Sequence, residues 1–427
     1  LLKAALAGVP KKWTWHAREE RHSLKVGEGS RTRLGPGSSC TRIFDFAMGT
    51  VRMPTQRDGD ELVRLMDAIE YADIDYTPVT PVDSEGSPRY RETASLVRDV
   101  QNTSKVMVGP SFDGTMAKDG LEVARILAGG EEALRSRPTL AGYCDPVSPL
   151  VHDRAMTETL IEYANLGQPV FVTCLDLAGA SSPASLAGTL VQQNAEVLSA
   201  VVIAHLVNPR APVIYGCVSG TMDMKAGTAA LGGPEFSLLS AASVQLAHFY
   251  GLPCSAGAQS DARVPDAQAA FEKATSLLSS ILAGADFVAL YFGSFDDYNT
   301  TSLEQVVIDH EIAGYALRHA EGIGLDALSS SLELVREVSP GGSYLRHPKA
   351  LRETMSRMKQ EHYFPFLIDR RSGDDSSPTA SRSLLEEAHA KALRILAEHR
   401  PAPVDPQQLS EIRAVLSRIQ AQEVDNG

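Results

Sequence analysis

Tyrosine recurs at the carboxyl ends of strand-like segments in this chain, at Tyr76, Tyr143, Tyr215 and Tyr291. A quaternary ammonium group offers no hydrogen-bond donor, so proteins hold it by cation–π attraction to converging electron-rich rings. The four tyrosines are therefore candidate walls of a pocket for a cationic amine, although tyrosine also suits strands for packing reasons alone. Two loops add polar candidates. SGTMDMKAG (219–227) offers Asp223, and GAQSDARVPD (257–266) offers Gln259, Ser260, Asp261 and Arg263. Small residues there let backbone approach a ligand while Asp and Arg orient charge; helix capping by Ser260 or Asp261 is the plainer alternative. His310, in VIDHEI, lies on a helix expected to border the same mouth, as a ligand for a substrate carboxylate or as a buried, satisfied imidazole.

Cys144, Cys174, Cys217 and Cys254 also fall at strand ends, where thiolates with His310 or His205 could hold zinc. No two are spaced as a chelating pair, and free cysteine is commonly just buried, so no metal is expected. The phosphate-cradling patterns GxGxxG and GxxxxGK[ST] are absent from the sequence. No order of Ser, His, Asp or Cys marks a nucleophilic triad, and no catalytic residue is obligatory.

These residues need a scaffold that brings strand ends together. Short apolar segments at 74–76, 105–108, 140–144, 169–174, 212–217, 253–256 and 287–291 alternate with helical patterns, clearest at 154–166, 185–207, 234–250 and 265–283. Seven β/α units in this order predict an α/β fold, a TIM-type (β/α)8 barrel with helical extensions at both ends, whose chemistry sits at the carboxyl ends of the strands. An eighth strand is expected after the helix at 301–320, yet GIGLDALSSSLELV reads as helical there. Residues 1–57 are expected to be an N-terminal extension with a hairpin at 41–53, residues 58–342 the catalytic barrel, and residues 343–427 a helical extension with an exposed loop at 370–383.

Composition narrows the partners. A net charge of -13 without a basic patch disfavours nucleic acid and anionic membrane surfaces. The longest apolar stretch, VLSAVVIAHLV, contains a histidine and is short for a bilayer span. LLKAALAGVPKKW at the start reads as a helix end rather than a signal peptide. Five cysteines without a CxxC pair fit a reduced, cytoplasmic setting.

Several of these segments together resemble the trimethylamine:corrinoid methyltransferase family, particularly its branch without pyrrolysine, which includes glycine betaine methyltransferases. The matching stretches are DIDYTPVTP (73–81), DPVSPL (145–150), the run from AGASSPAS to PVIYG (178–216), SGTMDMKAGTAALGGPE (219–235), LPCSAGAQSDARVPDAQAAFEKA (252–274) and SLEQVVIDHEI (302–312). The resemblance implies transfer of a methyl group from a quaternary amine, glycine betaine-like, to the Co(I) of a cognate corrinoid protein. The corrinoid (cobalamin) would be carried by that partner and not bound tightly by this chain, which is expected to form a homo-oligomer. Arg263 or His310 would then hold a betaine carboxylate while the rings hold nitrogen. Arg210 and Arg263 depart from the residues expected at their positions and are expected to bear on substrate choice. Two alternatives stand beside this: a zinc-dependent corrinoid methyltransferase and a non-catalytic betaine-binding barrel.

Overall fold

A computed structural model describes residues 1–427 except 28–29, 36, 38, 371–381 and 427; most of the loop expected at 370–383 lies outside the described residues. Eight parallel strands form the core. They are β1 (Arg33–Leu34), β2 (Ile74–Asp75), β3 (Val106–Val108), β4 (Leu140–Cys144), β5 (Val170–Cys174), β6 (Val213–Cys217), β7 (Cys254–Gly257) and β8 (Phe287–Ala289). Each pairs with its sequence neighbour from β2 through β8, and β8 pairs with β1. A helix follows every strand: α1 (Gln56–Ala68), α2 (Pro88–Asn102), α3 (Gly114–Ala128), α4 (Arg154–Asn165), α5 (Leu186–Val207), α6 (Pro234–Tyr250), α7 (Ala267–Leu282) and α8 (Leu303–Glu321). The molecule is thus a (β/α)8 barrel.

The closing strand is supplied before the first helix. The expectation of an eighth strand after residue 320 is corrected: that stretch leads into a helix at Leu328–Val338, and residues 33–34 of the supposed extension complete the barrel instead. A strand of two residues leaves almost no periodicity to read. The β1–β2 seam is stitched by Asp73. Its backbone N–H donates to the Leu34 carbonyl at 2.8 Å, and its carboxylate accepts the Leu34 N–H at 2.9 Å. Arg31 braces that carboxylate with two bonds of 2.8 and 2.6 Å. Gly35 follows with φ of +146°, where a Cβ would lie 2.5 Å from the Ile74 carbonyl oxygen, so only glycine permits this closure.

The helices start where their capping residues dictate. Thr55, Ser87, Asp113, Asp153, Ser185, Asp266 and Ser302 each accept a first-turn N–H through the side chain, and Pro234 opens α6. Helix α5 is long and apolar enough to cross a membrane, but it packs on β5 and β6 and carries buried Gln193 and Glu196, which suits the outer layer of a barrel.

Both ends of the chain wrap this core. Trp13–Trp15 pairs antiparallel with Leu24–Val26, and fully buried Trp15 meets the rings of Phe171 and Phe287 at 6.1 and 6.4 Å. This ribbon plugs the amino-terminal end of the barrel, with the Trp15 indole N–H donating to the Thr139 carbonyl. Arg42–Asp45 and Thr50–Arg52 form an antiparallel hairpin that joins Ser294–Phe295 and Thr300–Thr301 beyond β8, at the opposite end. After residue 342 the described chain is mainly helical: Leu384–Glu398 packs on α8, and Pro406–Asn426 packs on α2 and α3.

Candidate active site

Pairing across the sheet decides which side chains enter the barrel, because laterally paired residues share a face and neighbours along a strand alternate. Phe171 pairs with Tyr143 on one side and Ile214 on the other, and these face inward; Val172 pairs with Tyr215, and these face the helices. The barrel interior is consequently an aromatic column. Phe171 sits 5.4 Å from Phe287 and 5.4 Å from Tyr143, carrying packing from the Trp15 plug towards the carboxyl-terminal mouth.

At that mouth lies a cavity of about 350 Å³, within the usual range for small-molecule sites. Tyr76, Tyr143, Tyr291 and Tyr298 line it. Tyr76 and Tyr291 meet edge to face at 6.2 Å, and Tyr291 and Tyr298 lie 4.4 Å apart. Burial pushes all four phenols above their ordinary range, so the rings are neutral. The Tyr76 hydroxyl donates to the Phe292 carbonyl at 3.2 Å, and Gly37 lies flat on its ring, where a Cβ would approach to 2.4 Å.

The loop that presents Tyr291 and Tyr298 is held in an unfavourable conformation. Tyr291, Asp296, Asp297 and Tyr298 have φ of 47°, 56°, 53° and 66°, in the left-handed region that costs non-glycine residues free energy. A fully buried ion pair offsets this. Lys273 on α7 donates to Asp309 on α8 at 2.6 Å and to the Ser294 carbonyl at 2.7 Å, while Asp309 accepts the Gly293 N–H at 2.8 Å. Gln305 supports the other Asp309 oxygen at 2.8 Å. Burial lowers the Lys273 pKa and raises that of Asp309, while their mutual attraction opposes both shifts.

Two carboxylates face the same cavity. Asp145, directly after β4, is solvent-exposed where it lines the cavity. Desolvation by the surrounding cavity walls pushes its carboxyl up to about 7, opposed in part by the Thr173 backbone. Glu92 on α2 is half-buried, and burial raises its pKa despite Arg91 and Arg98 nearby. Neither arginine lines the cavity.

Of the ten side chains singled out from sequence, Tyr76, Tyr143 and Tyr291 reach the cavity. The expectation for Tyr215 is corrected: it points outward, its hydroxyl bonded to Asn194 of α5 at 3.1 Å. Asp223 is exposed at a hairpin tip, accepting the N–H groups of Lys225 and Ala226 in its own turn. Gln259 is buried against Ser294, and Ser260 donates to Glu272 at 2.7 Å. Asp261 accepts the Leu231 and Gly232 N–H groups at 2.8 Å each, so the 257–266 loop is tied to its neighbour; the cap of α7 is Asp266. Arg263 is exposed. His310 stacks on Tyr71 (4.8 Å) and meets Phe366 edge to face (4.6 Å), where burial lowers its pKa to about 4. Arg210 lies in the turn entering β6, at the far end from the mouth. Sequence reasoning missed Tyr298, Asp145 and Glu92. Asp145 had a signal, since it directly follows the predicted strand at 140–144, opening DPVSPL; Tyr298, in an irregular turn, had none.

The cysteines do not converge on the mouth. Cys174 and Cys217 face outward to the backbone carbonyl and side chain of Gln193, and Cys254 faces His248 and Asp286. Among the described residues Cys174, Asp176 and Glu196 have ligand atoms within 4.8 Å of one another. Most of those oxygens already have donors: Ser148, the Leu150 N–H and Gln192.

The family model described as trimethylamine methyltransferase (MTTB) matches residues 1–423. The chain belongs to the trimethylamine methyltransferase family. A glycine betaine methyltransferase of Desulfitobacterium hafniense (strain Y51) is 32% identical over 419 residues, covering 98% of this chain and 86% of that protein. The trimethylamine methyltransferase MttB of Methanosarcina thermophila is 34% identical over 421 residues, covering 97% and 85%. Among solved structures, the hydroxylamine complex of MtmB superposes with a TM-score of 0.52 at 12% identity, over 92% of this chain and 80% of that one. The monomethylamine methyltransferase MtmB of Methanosarcina barkeri gives 0.51 at 11%, over 93% and 79%. At that identity these two speak for the barrel alone.

Proposed function

We propose that this family member transfers a methyl group from a quaternary amine to the Co(I) of a separate corrinoid protein. The observation that carries the reading is the cage of Tyr76, Tyr143, Tyr291 and Tyr298 around one cavity at the barrel mouth. A quaternary amine departs as a neutral tertiary amine, so no residue has to donate a proton. Co(I) on the partner would supply the electron pair for the methyl carbon, the C–N pair leaving with nitrogen. This chain's own residues bind the cation by ring faces, aim the C–N bond out of the mouth and keep water from the reacting carbon.

Room for a partner is supported by the rim. Exposed apolar side chains rise from the loops after successive strands: Met48 and Met53 after β1, Val82 after β2, Phe112 after β3, Val147 and Leu150 after β4. Exposed apolar surface around a binding mouth is what a docking protein covers. The test mixes the full chain with a Co(I) corrinoid protein and a panel of methylated amines, following the corrinoid absorbance. Methylation of cobalt by a quaternary amine is the expected result; binding of amines without methylation of cobalt by any of them would leave a binding barrel and defeat the proposal.

A further inference from the structure

The charge of the cavity is one-sided. Two carboxylates, Asp145 and Glu92, and four phenols line it, and every other described lining side chain is neutral. No Lys, Arg or His belongs to the described lining. The basic residues that sequence offered for a betaine carboxylate are elsewhere: Arg263 is exposed on the loop after β7, and His310 is enclosed between Tyr71 and Phe366. Among the described residues no basic side chain lines the cavity beside Asp145, so a bound cation would meet its carboxylate unopposed.

We infer, resting on the proposed methyl transfer, that the substrate is a quaternary ammonium ion without a carboxylate, with a neutral tail, and that Asp145 is its specificity-determining counter-charge. A cation bound against the rings brings its charge beside Asp145, and the apolar and aromatic cavity walls around the bound cation strengthen the attraction. A zwitterionic betaine instead carries a carboxylate into a cavity lined by two carboxyl groups and, among the described residues, by no basic side chain. That anion would lose its hydration with no cationic partner inside the cavity, and like charges in one enclosed site oppose each other. The remaining donors are neutral hydroxyls, of which Tyr76, Ser39, Thr77 and Ser111 already donate to protein acceptors. The aromatic cage explains why a methylated nitrogen binds; Asp145 explains which molecules that carry one are accepted.

The experiment separates this from the transfer chemistry by reading binding alone. Calorimetry on the full chain uses choline, tetramethylammonium and glycine betaine as probes, without a corrinoid protein. Both cations are expected to bind, with glycine betaine at least about tenfold weaker than choline. Asp145→Asn is expected to weaken choline roughly tenfold and shrink the gap to glycine betaine to about threefold or less. Asp145→Glu, which keeps the charge, is expected to keep the preference and guards against a folding defect in the Asn variant. Glycine betaine binding as tightly as choline, a preference unchanged in Asp145→Asn, or binding of none of the probes overturns the inference. Selective binding of the cations without methylation of any corrinoid would defeat the proposed function and leave the inference standing. Methylation of cobalt from tightly bound glycine betaine would do the reverse.

Discussion

Four neutral rings in contact can hold a cation only through their faces, and this makes their contribution separable from that of their hydroxyls. Tyr291 touches both Tyr76 and Tyr298, so it is the ring whose loss most disrupts the cage. Replacing it with leucine should weaken binding of a quaternary amine by about 1–2 kcal/mol, roughly tenfold, while Tyr291→Phe should stay within about twofold of the parent. Calorimetry with tetramethylammonium checks both, and a large loss in the Phe variant would place the effect on the hydroxyl instead. His310 shows how a residue with chemical promise can serve packing. Its pKa is lowered from 6.5 to about 4 by burial and by Lys105 and Lys391, with Tyr71, Phe366 and the adjacent Glu311 as its other neighbours. Because the folded value is the lower one, the unfolded chain takes up the proton first. The stabilisation is therefore complete above pH 6.5 and is lost as pH falls towards 4, about 2 kcal/mol of it by pH 5. Thermal melts at pH 7 and pH 5 should show a smaller drop in His310→Phe than in the parent chain, and an equal drop would assign the acid sensitivity elsewhere.

At the scale of elements, the Lys273–Asp309 pair links α7 and α8 and fixes the strained loop that presents Tyr291 and Tyr298. Asp309→Asn leaves an ammonium group buried without a counter-charge, which should cost about 3–5 kcal/mol of stability, read by chemical denaturation. Amine binding should fall with it, because the loop carries two of the four rings; unchanged binding in a destabilised protein would show that the loop holds its conformation without the pair. The same scale explains what sequence could reveal. Seven strands and their helices were legible because each strand is a short apolar run between turn residues and each helix starts at a capping side chain, such as Ser185 before α5 or Asp266 before α7. Which strand-end tyrosines face inward was not legible, since that depends on a register of one residue. Tyr143 pairs with inward Phe171, whereas Tyr215 pairs with outward Val172, and nothing local to VIYGC distinguishes the two cases. The short β1 and the irregular turn bearing Tyr298 left no periodic signal, being fixed by the Asp73 seam and the buried ion pair respectively.

For the whole molecule, the barrel assigns opposite duties to its two ends. The Trp15 ribbon closes the amino-terminal end and the carboxyl-terminal mouth stays open, so a reacting partner has one direction of approach. The chain carries a net charge of -13, and the rim presents Met48 at 72%, Leu150 at 63% and Val147 at 51% exposure. Docking over this rim would bury apolar side chains contributed by separate β/α loops, and a charge placed there would have to be desolvated on every encounter. Met48→Asp combined with Val147→Asp should therefore raise the KM for the corrinoid protein roughly tenfold or more, as loss of central contacts does at protein interfaces. Neither residue lines the cavity, so amine affinity in the absence of the partner should stay within about twofold, and the unfolding transition should move little because both side chains are exposed. A KM unchanged in the double variant would move the docking face off these loops, since an interface that covers the mouth has to cover residues on either side of it.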